Sequence, residues 1–160
     1  MNDFLKTLPG KRMAAGALIF NEKDELLIVK TSYKNYWSIP GGVIEENESP
    51  RQGCIREIKE EIGLEINNIK FLCVDYTKAD ENKDKDESLQ FIFSGGKLTD
   101  KEIKNIKMDG KEIVDFDFVL PEKATELLGG ITRSLVKRLS ACLAALKENK
   151  GVYLEDGKVI

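Results

Sequence analysis

The stretch Gly41–Leu64, GGVIEENESPRQGCIREIKEEIGL, constrains this chain more than any other. Ser49-Pro50-Arg51-Gln52 reads as a capping box, with Ser49 the N-cap, Pro50 the first helical residue and Gln52 reaching back to the cap. Gly63 stands where a left-handed residue closes a helix, so the helix is expected from Pro50 to Ile62. At about 100° per residue, Glu57, Glu60 and Glu61 share an arc of roughly 100°. Cys54, Ile55, Ile58 and Ile62 occupy the adjoining arc, so one side packs while its neighbour carries charge.

Three carboxylates so placed repel. A pair about 6 Å apart at an effective dielectric of about 20 costs roughly 3 kcal/mol. A divalent cation turns that repulsion into coordination, and all-oxygen ligands suit Mg²⁺ or Mn²⁺. A solvated acidic face is the other reading of the same residues in a chain with 33% charged residues. Without a counter-ion the arc is expected to be strained, so that Glu60→Gln stabilises the metal-free protein.

The flanking residues add a resemblance. The stretch resembles the Nudix box, Gly-x5-Glu-x7-Arg-Glu-U-x-Glu-Glu-x-Gly-U with U apolar. The match runs without departure through Gly42, Glu48, Arg56, Glu57, Ile58, Glu60, Glu61, Gly63 and Leu64. Trp37-Ser38-Ile39-Pro40-Gly41-Gly42 is similar to the family's usual approach to the box. Local reading alone gives an α+β or α/β domain; the resemblance implies the Nudix α/β/α sandwich with a central mixed β-sheet.

The resemblance further implies hydrolysis of nucleoside diphosphates linked to another group. Glu57, Glu60 and Glu61, with the Gly41 carbonyl, would hold Mg²⁺, or Mn²⁺ as a substitute, on the pyrophosphate, and water would attack phosphorus. Glu57 or Glu60 would take the water's proton. Gly42, Glu48, Arg56 and Gly63 are expected to be structural, Arg56 pairing with Glu48 to fix the loop on the helix and pointing away from the cation. Glu112 and Asp115 are candidate extra ligands. Two other readings of the resemblance remain: a non-hydrolytic Nudix module binding a nucleotide or metabolite, and a prenyl-diphosphate isomerase on the same scaffold. Box glutamates are intact and no added domain is visible, which disfavours the first. No matching Cys and acidic set supports the second.

Composition narrows the chemistry. The chain has 160 residues, enough for one domain over 1–160 with a real core, and no histidine. That excludes Ser-His-Asp and Cys-His nucleophiles and His-ligated zinc. A net charge of −3 gives no sign of a stable nucleic-acid complex. Cys54, Cys73 and Cys142 are dispersed and odd in number, indicating neither a disulfide framework nor a cysteine zinc site. The N-terminus lacks a signal-peptide core and no apolar run is long enough for a membrane span, so a reduced cytoplasm is expected. A small-molecule nucleotide is the expected partner, and a homodimer stays open.

Along the chain, 1–10 read as a loose lead-in, 14–20 and 25–31 as a hairpin of strands around 21–24. Tyr33, Tyr36 and Trp37 either pack or stack on a base. Residues 69–77 and 88–95 read as strands flanking the charged loop 78–87, a solvated tip or a substrate-selecting loop. Residues 97–111 have no clear structure. Residues 112–120 read as a strand and 121–128 as a short helix. This part resembles the family's acidic strand and Pro- and Glu-bearing helix start, with Phe118 for the usual Trp. The C-terminal helix is expected at about 131–149, its Leu135, Leu139, Cys142, Leu143 and Leu146 facing a core. Residues 151–160 read as a hairpin around Asp156-Gly157 or a tail.

Overall fold

Ten consecutive residues, Arg12–Asn21, form the strand β1 on which the sheet is centred. Ala15 to Asn21 are buried without a break, the pattern of a strand covered on both faces. The computed structural model describes residues 3–33, 36–80, 86–128 and 134–160. A tight turn follows β1, in which the Asn21 side-chain oxygen accepts the N–H groups of Lys23 and Glu25. The chain then returns as β2, Leu26–Thr31, meeting β1 antiparallel only at Phe20 opposite Leu26. Beyond that point the two strands take different partners. The short β3, Trp37–Ser38, lies on β2, and β4, Gly41–Val43, lies on β1.

On its other side β1 runs parallel to β6, Ser88–Leu98, which pairs antiparallel with β5, Lys70–Thr77. β7, Ile113–Val119, adds to β2 antiparallel. The last two strands, β8 (Val152–Glu155) and β9 (Lys158–Val159), extend the far side. The order is β3-β2-β1-β6-β5-β8-β9, with β4 attached to β1 and β7 to β2. The sheet is therefore mixed.

Alternation along β1 and β2 divides the core. Ala15, Ala17, Ile19, Leu27 and Val29 face the helix α2, Pro50–Ile62, and pack on its Cys54, Ile58 and Ile62. Leu18, Phe20, Leu26 and Ile28 face the other way, against Ala124 of α4 (Pro121–Leu127) and Leu139 and Cys142 of α5 (Ser134–Glu148). Each buried Leu or Ile side chain contributes about 1.5–3 kcal/mol relative to exposure, so helix docking on both faces is driven by ordinary apolar burial. This is the expected sandwich. No helix among the described residues is long and apolar enough to cross a membrane.

Some expectations needed adjustment. The lead-in carries a one-turn, wholly exposed helix α1, Asp3–Lys6. Inside 97–111 lies another short helix, α3, Asp100–Ile103, opened by a capping box between Thr99 and Glu102. Of the charged loop 78–87, residues 81–85 lie outside the described residues, as do 131–133 of the expected C-terminal helix. The hairpin around Asp156-Gly157 is present, but it is no appendage: β8 pairs in parallel with β5, Cys73 to Tyr76 opposite Val152 to Glu155. Asp75, fully buried on β5, ties this corner together. Its carboxylate accepts the Gly157 N–H at 3.0 Å and Arg138 Nε of α5 at 2.8 Å.

Candidate active site

β4 reaches the site through two glycines with different tasks. Gly41 has φ +147°, and a Cβ there would collide with the Ala15 carbonyl and Gly16 of β1. Gly42 stands where a Cβ would occupy the space of the Glu57 carboxylate. Only hydrogen side chains at both positions let the strand lie on β1 and the glutamate lie on the strand. The Gly41 N–H donates to Glu61 Oε2 at 2.8 Å.

α2 supplies the acids, and its ends are those read from the sequence. Ser49 accepts the Gln52 N–H, the Gln52 side chain returns to the Ser49 N–H, and Gly63 closes the helix at φ +73°. Glu57 and Glu61, one turn apart, both meet β4. Glu61 is 7% exposed, whereas the Glu60 side chain is 59% exposed. The three glutamates are thus unequal.

Arg56 explains part of that inequality. Its Nε and Nη2 bind the two oxygens of Glu48 at 2.8 and 3.0 Å, the bidentate geometry of a strong charge-assisted pair. Nη2 also reaches the Val43 carbonyl at 3.0 Å, while Glu48 accepts the Glu45 N–H. The absence of a side chain at Gly53 leaves room for Glu48. The expected clamp of loop on helix is therefore present. Arg56 does not, however, point clear of the acids: Nη1 donates to Glu57 and Glu60, each at 3.0 Å. A single guanidinium serves three carboxylates, and it takes up repulsion expected among them.

Charge follows geometry. Arg56 and the Glu45 N–H hold Glu48 below the usual carboxylate range. Burial pushes Glu57 up; Arg56 opposes this, and the charges of Glu60 and Glu112 add to it. Glu61 is pushed up to about 8, first by burial, against the Gly41 N–H, with the charges of Glu57, Glu112 and Asp109 adding. Among the described residues it accepts one hydrogen bond, from the neutral Gly41 N–H, a poor return for burying a carboxylate. Burial thus acts against the charged form most at Glu61, whereas Glu60 is exposed and paired with Arg56.

Glu112 is exposed, and its charge is felt by both Glu57 and Glu61. Asp115 is also exposed and accepts its neighbour's Phe116 N–H at 2.9 Å. Asp109 escaped the sequence reading. It gathers the N–H groups of Lys111, Glu112 and Ile113 around one carboxylate and adds to the field at Glu61. The Asp109-Gly110 dipeptide, with Gly110 at φ +70°, was the available turn signal. Trp37 is half-buried against the α5 side of the core, with Lys30 Nζ 5.9 Å from its ring centroid, and Tyr33 is exposed.

Among the described residues, no three His, Cys, Asp or Glu side chains gather tightly enough to hold a metal ion. Glu60 is held by Arg56 at 3.0 Å. The donor chemistry nevertheless fits a hard dication: a buried carboxylate with no cationic partner among the described residues and a second one bedded on Gly42, all oxygen.

The NUDIX domain family model matches residues 10–139. The chain is similar to an RNA pyrophosphohydrolase of Hydrogenovibrio crunogenus, 40% identical over 63 residues, which are 39% of this chain and 38% of that protein. Nudix hydrolase 5 of Arabidopsis thaliana is 35% identical over 74 residues, 41% of this chain and 24% of the relative. The matched stretch is thus less than half the length of these curated relatives. Among solved structures, a MutT protein from Methanosarcina mazei Go1 superposes with a TM-score of 0.66 at 24% identity, covering 90% of this chain and 99% of that one. The NUDIX domain of Shewanella oneidensis NrtR, complexed with ADP ribose, gives 0.69 at 17% identity over 88% and 92%. At such identities these likenesses speak for the fold.

Proposed function

The chain belongs to the NUDIX domain family, and from that membership we propose that it hydrolyses a pyrophosphate bond in a nucleoside diphosphate derivative, by water attack on phosphorus with Mg²⁺ or Mn²⁺. The observation that carries the reading is the placement of Glu57 and Glu61 against Gly41 and Gly42, inside an unbroken motif. Glu57 and Glu61 would hold the cation, with Glu60 and the Gly41 carbonyl completing the set and Glu112 in reserve. When bound, the cation supplies neutralisation of phosphoryl charge and Lewis-acid polarisation.

The chain's own groups do the rest. Glu57 is the favoured proton acceptor: its carboxyl is raised by partial burial, which makes it a stronger base than an exposed glutamate. Glu60, exposed and paired with Arg56, is the alternative. Arg56 and Glu48 keep the loop after β4 on α2, so that both glutamates stay aimed. The relatives named RNA pyrophosphohydrolase and the NrtR domain with ADP ribose fit a nucleotide substrate.

The test is a panel of nucleotide pyrophosphates assayed for released phosphate. EDTA should abolish turnover and Mg²⁺ restore it, Glu57→Gln should lower kcat at least about 10²-fold, the scale of losing a positioned base, and ¹⁸O from water should enter a phosphate product. Robust turnover in metal-free buffer would overturn the mechanism.

A further inference from the structure

Far from the glutamates, on the opposite face of the sheet, two of the three cysteines meet. Cys73 of β5 and Cys142 of α5, 69 residues apart in sequence, place their Sγ atoms 2.8 Å from each other. Both are free and fully buried. Beside them Arg138, one turn ahead of Cys142, binds Asp75, two residues beyond Cys73, at 2.8 Å. That pair spans the same two elements and keeps the two sulfurs facing. The contact is thus held by a second, independent link.

We propose that Cys73 and Cys142 are a disulfide-forming dithiol, closing to a covalent bridge between β5 and α5 under a small oxidant such as hydrogen peroxide. A cavity of about 10 Å³ beside α5, room for about one water, is bordered by Leu135, Arg138 and Cys142 but not by Cys73, so an oxidant admitted by local opening of the fold meets Cys142 first. Cys142 is therefore the sulfur that attacks. It breaks the peroxide O–O bond, becomes a sulfenic acid and releases water. Cys73 then displaces the sulfenic oxygen as a second water, forming the S–S bond. Two thiols lose two electrons and two protons, and one peroxide becomes two waters.

The setting makes the step slow and selective. Contact with Cys73 and burial push the Cys142 thiol up, while the Arg138 charge works the other way. Thiolate is scarce, so the bridge forms over long exposure and not as a rapid sensor. Cys54, across the sheet, has no partner sulfur among the described residues, and burial with the charges of Glu61 and Glu57 pushes it up to about 12. It stays reduced.

The experiment exposes the folded, full-length protein to millimolar hydrogen peroxide well below its melting temperature, then removes the oxidant, unfolds the protein and alkylates it. The expected result is one alkylated thiol in place of three, a mass lower by two hydrogens, and a tryptic peptide pair joining Cys73 to Cys142. The bridged form should also melt higher than the same sample after dithiothreitol. Cys73→Ser should leave Cys142 trapped as a higher oxidation product. If that variant does not fold, the wild-type peptide map decides alone. Three alkylatable thiols, a bridge that includes Cys54 or joins two chains, or one that forms only in denaturant would each overturn the proposal.

Discussion

Glu61→Gln is expected to stabilise the metal-free protein, and by an amount that depends on pH in a defined way. The Glu61 carboxyl titrates at about 8 in the fold, against an ordinary 4.5. Below the unfolded value both states are protonated and the residue costs nothing. As pH rises through the window from 4.5 to about 8, the unfolded chain gives up its proton and the folded one keeps it, so stability is lost. At about 1.4 kcal/mol per unit the loss is about 3 kcal/mol at pH 7 and levels off above pH 8. Glutamine removes the titration and keeps the bond from Gly41 N–H, but buries an amide NH₂ without an assigned acceptor, which costs about 1–2 kcal/mol. The net gain is then about 1–2 kcal/mol near pH 7, or roughly 2–8 °C in Tm for a chain of this size. The assay is thermal melting of both proteins in EDTA from pH 4.5 to 9. The curves should cross between pH 5 and 6 and separate above. Saturating Mg²⁺ should narrow the gap at high pH by stabilising the wild type. A difference that stays flat with pH, or a mutant that melts lower at pH 8.5, would mean that Glu61 is not a buried acid short of a partner.

Three further outcomes are expected. Because Glu61 holds its proton near neutrality, Mg²⁺ binding should expel it, so affinity should rise up to about tenfold per pH unit between pH 6 and 8; calorimetry in buffers of different ionisation enthalpy checks this, and a pH-independent Kd refutes it. Arg56→Ala should cost about 2–4 kcal/mol, since it strands carboxylates that are mostly shielded from water. Melting and turnover should fall together, with Arg56→Lys a poor rescue because it lacks the fork; a stable variant with turnover alone lost would make Arg56 a substrate ligand. Gly42→Ala should push the Glu57 carboxylate aside and lower kcat at least about 10²-fold. Adding it to Glu57→Gln should cost little more, because both changes remove one function; full additivity in steady-state assays would separate them.

How much of this was legible varies with the range of the cause. The limits of α2 were readable because Ser49, Pro50, Gln52 and Gly63 each act within one turn. The strands around 14–20, 25–31, 69–77, 88–95 and 112–120 were readable as apolar runs between polar turns. The ranking of the three glutamates was also present, though unread. At about 100° per residue, Glu61 lies about 60° from the buried Ile58, Glu57 about 100° and Glu60 about 160°. The observed burial follows that order, with Glu61 deepest and Glu60 most exposed. By contrast, the parallel pairing of β8 with β5 and the meeting of Cys73 with Cys142 depend on closures across some 70 residues, and no local pattern records them. α3 was missed for the opposite reason: four residues are too few to show a period, and only Thr99 and Glu102 signal it.

The corner at Asp75 also has a place in time. On a ribosome the chain emerges from its N-terminus, and β5 is available long before residues 138 and 157 exist. A lone carboxylate cannot be enclosed until something answers its charge, and the groups that do so here, the Arg138 guanidinium and the Gly157 amide, both arrive late. The glutamate-bearing half, built around β1, β4 and α2, uses residues made early. Its opposite margin must wait, wet and unsealed, for the final residues of the hairpin. During synthesis the Cys73–Tyr76 edge is therefore among the last parts of the sheet to be completed, since both groups that answer Asp75 lie far downstream of it.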